Sequence, residues 1–186
     1  MAYHHGDLRR ALLAAAAAAI AESGAYAVSL RGLARQAGVS NAAPAHHFGD
    51  KPGLLTALAA EGYGMLADTV AEARLAGGGI VGMGAAYVRF ALEHPAHFEV
   101  MFQPGLLRTD DEELAAAQAR ASDALAAGIA ERRAEGGDAG LTGVAAWSLV
   151  HGYATLVLSG SLRPEDPRGQ ARAIARLLFP EDATGH

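Results

Sequence analysis

The chain has 186 residues, 51% apolar and 19% charged, a balance that excludes a disordered, solvating chain. It has no cysteine, which excludes a disulfide framework and a thiolate metal site. Its formal charge of −5 is uneven, because residues 1–60 carry five basic side chains against three acidic ones while the remainder is acidic. That is a pattern a site-specific nucleic-acid binder can show, and equally a chance asymmetry of a solvated surface. No uninterrupted apolar run reaches the roughly 18 residues of a membrane span. The longest, Ala11 to Ala21, is mostly alanine behind Arg9 and Arg10. A soluble, cytoplasmic protein without a membrane partner is expected.

Helix formers dominate, with 45 alanines, and the Val/Ile/Thr alternation of strands is absent. The pattern predicts an all-α chain of about nine helices. The first runs from Asp7 to Ser23, with Leu8, Leu12, Ala15, Ala16, Ala19 and Ile20 at helical spacing and Gly24 just past its end. His4 and His5 precede it, either as an arm that touches phosphate or, the favoured reading, as a floppy terminus. Ser29 caps a second helix to Ala37, Gly38 breaks it, and Ser40 caps a third to about His47. Asp50 caps a fourth, with Lys51 and Pro52 in its first turn, continuing to about Ala76. Gly77-Gly78-Gly79 is the clearest break.

Beyond it, Ile80 to His94 reads as a helix stopped by Pro95, followed by a short one over Ala96 to Phe102 and a loop over 103–108. Thr109-Asp110-Asp111-Glu112 reads as a capping box that opens a long helix to about Glu135, ended by Gly136-Gly137. A helix over Leu141 to Ser161 and a last one from the Asp166-Pro167 cap to Phe179 complete the set.

Residues 29–51 read SLRGLARQAGVSNAAPAHHFGDK: a short helix, a Gly-Val-Ser turn and a second short helix, the helix-turn-helix arrangement. Leu30, Leu33, Ala34, Val39 and Phe48 are spaced to point toward the first helix, which leaves one face of the second short helix free. Small residues on it, Asn41, Ala42 and Ala43, let its backbone come close to a groove floor. Two features disturb the pattern. Pro44 lies inside the third helix and lacks the N–H that would pair with Ser40, so the helix is expected to start late or kink.

The stretch resembles the DNA-binding domain of TetR-family transcriptional regulators, whose pattern is roughly T-x-x-x-I-A-x-x-A-G-V-S-x-G-x-x-Y-x-H-F-x-x-K-x-x-L. Ser29, Leu33, Ala34, Ala37, Gly38, Val39, Ser40, His47, Phe48, Lys51 and Leu54 carry the match, and Lys51 is the chain's single lysine. The second disturbance is visible only against that pattern: Ala45 stands where the family has a tyrosine. The resemblance implies a DNA-binding domain over 1–52 and an effector-binding and dimerisation domain over 53–186. It implies that Asn41, Ala42 and His46 face bases, that Ser29, Ser40, His47 and Lys51 hold the phosphate backbone, and that Arg31 does either.

Two strings of the C-terminal part, His94 to Phe102 and Trp147-Ser148-Leu149-Val150-His151-Gly152, are similar to the WHG-type C-terminal domain of part of that family. Aromatic and sulfur side chains are rare here, yet Tyr87, Phe90, Phe98, Met101, Phe102 and Trp147 gather in these helices with His151. They are candidates for lining an apolar effector cavity, the alternative being ordinary core. Leu149, Tyr153, Leu156 and Val157 on one helix and Ile174, Leu177 and Leu178 on another form apolar faces, which the resemblance assigns to a homodimer interface.

The implied partners are a palindromic double-stranded operator, a small and largely apolar effector and a second copy of the chain; no cofactor and no metal is expected. The implied role is a repressor released by its effector. A sensor that has lost specific DNA binding is the alternative that Pro44 and Ala45 keep open. An enzyme built on Glu93, His94, His97 and His151 is disfavoured, because Pro95 separates two of the histidines and no nucleophile elbow or phosphate loop exists.

Overall fold

A computed structural model describes residues 5–131 and 139–179. Nine α-helices are present among them: α1 (His5–Ser23), α2 (Leu30–Gln36), α3 (Ala42–Phe48), α4 (Lys51–Ala73), α5 (Gly79–Glu93), α6 (Pro95–Met101), α7 (Glu112–Glu131), α8 (Ala139–Leu158) and α9 (Pro167–Leu178). Single 3-10 turns occupy Ala25–Ala27 and Pro104–Leu106, and a π turn spans Arg74–Gly78. No strand occurs among the described residues. The all-α expectation holds.

Several boundaries differ from expectation for local reasons. The fourth helix stops at Ala73 rather than Ala76, and the break falls where Gly77 takes φ 79° and Gly79 φ 51°, the left-handed region that favours glycine. Thr109 does not open α7. The Leu114 N–H instead finds the Asp111 carboxylate at 2.9 Å, and the Asp111 carbonyl accepts the first helical N–H, from Ala115. Pro95 does more than stop α5, because it is the first residue of α6, where its missing N–H costs nothing. Gly160, at φ 72°, follows the end of α8 at Leu158, three residues short of Ser161. The Gly136-Gly137 stop and His4 lie outside the described residues.

The chain divides into two compact units, Met1–Tyr63 with His94–Gln118, and Gly64–Glu93 with Ala119–His186. In the first, α1 buries Leu12, Ala16 and Ile20, one apolar stripe at spacings of four. Against it lie α2, with Leu33 and Ala34 buried, and α3, with Phe48 buried; Leu54, Leu55 and Leu58 at the beginning of α4 are buried in the same unit. Helix α6 joins this unit from the middle of the chain. It packs on α1, and its Glu99 accepts the Ala25 N–H at 2.9 Å. Gly62 of α4 is a close approach, since a Cβ there would stand 2.7 Å from the Met101 sulfur. Tyr63 donates its hydroxyl to the Met101 carbonyl at 2.9 Å, and Glu61 meets His97 at 3.0 Å.

In the second unit α5 is the central helix. Met83, Ala86, Tyr87, Val88, Phe90 and Ala91 are all buried, and its neighbours are α8 and α9. Helix α9 is two-faced: Ala171 and Ala175 are buried while Arg172, Arg176 and Leu177 are exposed. Its first turn is capped as expected, with the Gly169 N–H on the Asp166 carboxylate at 2.9 Å.

Candidate nucleic-acid interface

Helix α2 begins where the sequence places it, with the Gly32 N–H donating to Ser29 Oγ at 3.2 Å. Its end is a Schellman turn: Gly38, at φ 67°, gives its N–H to the Arg35 carbonyl, and Val39 gives its own to Ala34 at 3.0 Å. Only glycine enters that left-handed position without strain, so the Ala-Gly-Val-Ser string sets the bend between the two helices.

Helix α3 starts late. Ser40 does not cap it; Asn41 precedes the first helical residue and makes no side-chain cap bond, while the Ser40 carbonyl accepts the Ala43 N–H at 3.0 Å. Pro44 therefore falls in the first turn, where no helical N–H is owed, and it kinks nothing. Pro44 is also buried, as is Phe48 four residues on, while Ala42, Ala45 and His46 are exposed. One face of α3 is thus held against the unit and the opposite face, small residues and one imidazole, is open to solvent.

Among the remaining sequence candidates, Ser29, Arg31, Ser40 and Asn41 are exposed, and His47 and Lys51 are half-buried. All belong to the first unit. Lys51 Nζ donates to the Tyr26 carbonyl at 2.6 Å, so the lysine ties the start of α4 to the turn after α1. Arg9 of α1 lies 5.9 Å from the Phe48 ring centre and pairs with Glu113 at 3.1 Å.

The turn between α3 and α4 is tethered from several sides. Gly49, at φ 76°, closes α3 on the Ala45 carbonyl, and Asp50 Oδ1 accepts the Gly53 N–H at 2.9 Å. Arg108 comes from the loop before α7. Its guanidinium meets the same Asp50 oxygen at 2.9 Å, and its backbone N–H donates to Thr56 Oγ1 at 2.9 Å. The Gly53 N–H, helped by the Arg108 guanidinium and opposed by partial desolvation, holds the Asp50 carboxyl below its ordinary range. Sequence reading placed Asp50 as a cap but found no role for Arg108 or Thr56, because their contacts with this turn span about half a hundred positions and leave no local pattern.

The seven effector candidates are divided between the units. Phe98, Met101 and Phe102 lie in the first, where the Phe98 and Phe102 rings are 5.0 Å apart and Tyr63 stands edge-on to Phe102. Tyr87, Phe90, Trp147 and His151 lie in the second. There a small, solvent-open pocket is lined by Tyr87 and Trp147 together with Ile80, Met83, Leu125, Ile129 and Phe179. Small residues Gly84, Gly143 and Ala146 make room in its wall, the one signal that sequence reading passed over. Among the described residues no charged side chain lines it.

Phe90 is buried and does not line the pocket, and His151 acts behind it. Trp147 Nε1 donates to the Tyr87 hydroxyl at 3.2 Å, and that hydroxyl reaches His151 Nδ1 at 3.0 Å. Burial pushes the His151 pKa down, so the imidazole is neutral near pH 7 and its Nδ1 can accept the tyrosine proton. Among the described residues no group of three metal-ligating side chains occurs.

The interface candidates also separate. Leu156 and Leu177 are exposed, Val157 and Ile174 half-buried, and Leu149 lines the pocket. Tyr153 is buried and spends its hydroxyl within the chain, on Gln170 at 2.8 Å. The Leu178 side chain lies outside the described residues.

Comparison with known proteins agrees with this geometry. Residues 12–58 match the family described as bacterial regulatory proteins, tetR family, and residues 80–178 match the tetracyclin repressor-like C-terminal domain. A solved structure of a protein of unknown function from Rhodococcus sp. RHA1 is 32% identical, covering 95% of this chain and 96% of that one, with a TM-score of 0.80. The TetR-family transcriptional regulator PfmR from Thermus thermophilus is 25% identical, covering 90% and 96%, with a TM-score of 0.66. AibR, solved with isovaleryl coenzyme A and operator DNA, shares the fold at 19% identity, covering 92% and 97%, with a TM-score of 0.67. No curated protein sequence matches the chain. Two family matches that together span most of the chain, over a helix-turn-helix whose second helix keeps an open face, make this protein a member of the TetR family of bacterial transcriptional regulators.

Proposed function

We propose that the protein is a cytoplasmic repressor that binds a palindromic operator as a homodimer and is released by a small, largely apolar effector. The observation that carries the reading is the α3 surface. Pro44 and Phe48 anchor the helix while Ala42, Ala45 and His46 remain exposed, so a narrow, nearly side-chain-free face is available to a major groove. Asn41, Ala42 and His46 would face bases, with Arg31 beside them. Ser29, Ser40, His47 and Lys51 would set the register on phosphates. DNA reading is proposed for residues 1–52, and sensing and dimerisation for 53–186.

The effector reading rests on the uncharged pocket of the second unit, with Tyr87 and Trp147 in its wall and His151 bonded behind. Phe90 is buried and is absent from the pocket wall, and Phe98, Met101 and Phe102 lie in the first unit, so the proposed effector site keeps Tyr87, Trp147 and His151. That AibR was solved with an acyl coenzyme A and DNA together supports the general scheme for this fold. An effector that binds the DNA-incompetent arrangement more tightly lowers operator affinity by that difference.

The dimer reading rests on α8. Over Gly140–Leu158 mean hydropathy is 1.4, yet only 17% of that stretch is buried, a composition that would equally pass for a membrane span. Leu141, Val144, Leu156 and, on α9, Leu177 are exposed. A second copy covering Leu156, Val157, Ile174 and Leu177, with Leu149 and Tyr153 behind, would remove this apolar surface from water.

The test is a gel shift on DNA flanking the protein's own gene. Specific binding should weaken steeply with salt, and Lys51→Ala should lower affinity on every sequence. Binding indifferent to sequence and salt would remove the repressor reading. The alternative, a sensor without specific DNA binding, has lost the support of Pro44, which the helix accommodates; Ala45 is what still favours it.

A further inference from the structure

The tether from Arg108 to the α3–α4 turn joins the proposed DNA face to a segment almost sixty residues away. Asp50 does one structural job, capping α4 through Oδ1, and an uncharged Ser, Thr or Asn could do the same. As an aspartate it also leaves a half-exposed negative charge beside Lys51 and His47, where a phosphate backbone is proposed to pass. Left alone, that carboxylate would repel DNA. The Arg108 guanidinium sits 2.9 Å from it and is itself 46% exposed, so the pair shows DNA a neutralised turn with the cation still reachable.

Arg108 does not depend on Asp50 for its place. Its backbone N–H donates to Thr56 Oγ1, and Thr56, 2% exposed, in turn donates to the Pro52 carbonyl at 2.8 Å. Its guanidinium also lies over Gly49 and Gly53, about 3.3–3.4 Å from where a Cβ would stand at either position. Both glycines are required on other grounds as well, Gly53 by the Phe48 carbonyl 2.0 Å from where its Cβ would stand and Gly49 by its φ of 76°. The loop is held by its main chain, and the side chain is left to manage charge.

We propose that Arg108 is a positioning residue of the nucleic-acid interface, contributed from outside the helix-turn-helix, which neutralises Asp50 so that the start of α4 can approach a phosphate. This rests on the reading that α3 and the start of α4 meet the DNA backbone. It also makes the 103–111 loop, which lies within the span of the C-terminal family match, part of the DNA-binding surface.

The experiment uses the full chain and a fluorescein-labelled duplex of mixed sequence, about 30 base pairs long so that both half-sites of a dimer are accommodated. Anisotropy is followed from about 50 to 200 mM salt. Arg108→Gln, which keeps the main-chain bond to Thr56, should weaken binding roughly three- to tenfold at low salt, and less as screening rises. Arg108→Lys should retain most of the affinity. Adding Asp50→Asn to Arg108→Gln should recover most of the loss, because the cap is kept and the unpaired charge is gone.

A merely structural strut would give the opposite: no recovery in the double variant, and a lowered melting temperature for Arg108→Gln. Wild-type affinity in Arg108→Gln, or a double variant no better than the single, overturns the inference while leaving DNA binding intact. A wild-type chain that binds no duplex at low salt overturns the underlying reading, and this inference with it.

Discussion

The two units differ in what their polar bonds hold together. The first gathers segments from the N-terminus and the middle of the chain with bonds close to the surface: Ala25 to Glu99, Lys51 to the Tyr26 carbonyl, Arg108 to Thr56 and Asp50. The second is built around an apolar helix, α5; beside surface pairs such as Arg120 with Asp68 and Arg168 with Glu93, it holds a polar relay at its pocket, Trp147 to Tyr87 to His151. Surface tethers are individually weak, on the order of 1 kcal/mol each, but they set where backbone and charge stand. The relay is anchored on one buried group, the Tyr87 hydroxyl, with Trp147 45% exposed and His151 half-buried, and it links the helices that carry the pocket wall.

The sharpest way to break this contrast is to remove an anchor of the first unit. Phe48→Ala should destabilise that unit by about 3 kcal/mol, since the ring is buried where α1, α2 and α3 meet. Thermal denaturation should show the loss, and DNA binding should fall with it because α3 loses half of its attachment. An unchanged melting temperature would mean that Phe48 is not the pin it looks to be.

Tyr87→Phe comes next and addresses the second unit. The ring stays and only the hydroxyl goes, leaving His151 Nδ1 and Trp147 Nε1 without that partner at a cost of about 1–2 kcal/mol. Denaturation should report it, while affinity for DNA at low salt stays as in the wild type. If DNA binding fell to the same degree, the polar relay would not be a property of the pocket alone.

Ser29→Ala should cost about 1 kcal/mol through loss of the α2 cap, measurable as a small drop in melting temperature, and Ser29→Asn should restore it.

The smallest effect is expected with pH. The folded pKa of His151 is depressed by burial below the ordinary 6.5. Above that value both folded and unfolded forms are neutral and the histidine contributes no pH dependence. As pH falls from 6.5 toward the folded pKa, only the unfolded chain takes up the proton, and stability declines. His151→Gln should flatten the melting-temperature profile over that window. A profile that keeps its slope in the variant would assign the effect to other groups.

Much of the first unit was legible along the chain because its instructions are local. A serine three residues before an N–H it can accept, a glycine where the backbone must turn left-handed, and leucines at helical spacing each act over four or five residues. The same locality misled in two places. Ser40 and Thr109 carry good capping side chains, yet Asn41 and Asp111 occupy the positions before α3 and α7, a difference that the helix register decides and composition does not. Pro44 read as a defect because its missing N–H is a local fact; that its ring is buried and that it lies in the first turn are not.

The aromatic residues show the limit most clearly. Phe98, Met101 and Phe102 read alongside Tyr87, Phe90 and Trp147 as one group by type and spacing, but nothing along the chain says that residues 94–118 pack with α1 while α5 packs with α8 and α9.

By itself, then, the amino-acid order determined the helices, the bend between α2 and α3, and membership of a regulator family, since each depends on caps, glycines and spacings within a few turns. Tertiary structure alone decided that Arg108 shields Asp50, that Tyr87 links Trp147 to His151, and which aromatics share a wall. Those pairings join positions 58 to 64 residues apart, where contact depends on how whole helices settle against one another and no short stretch of sequence carries the information.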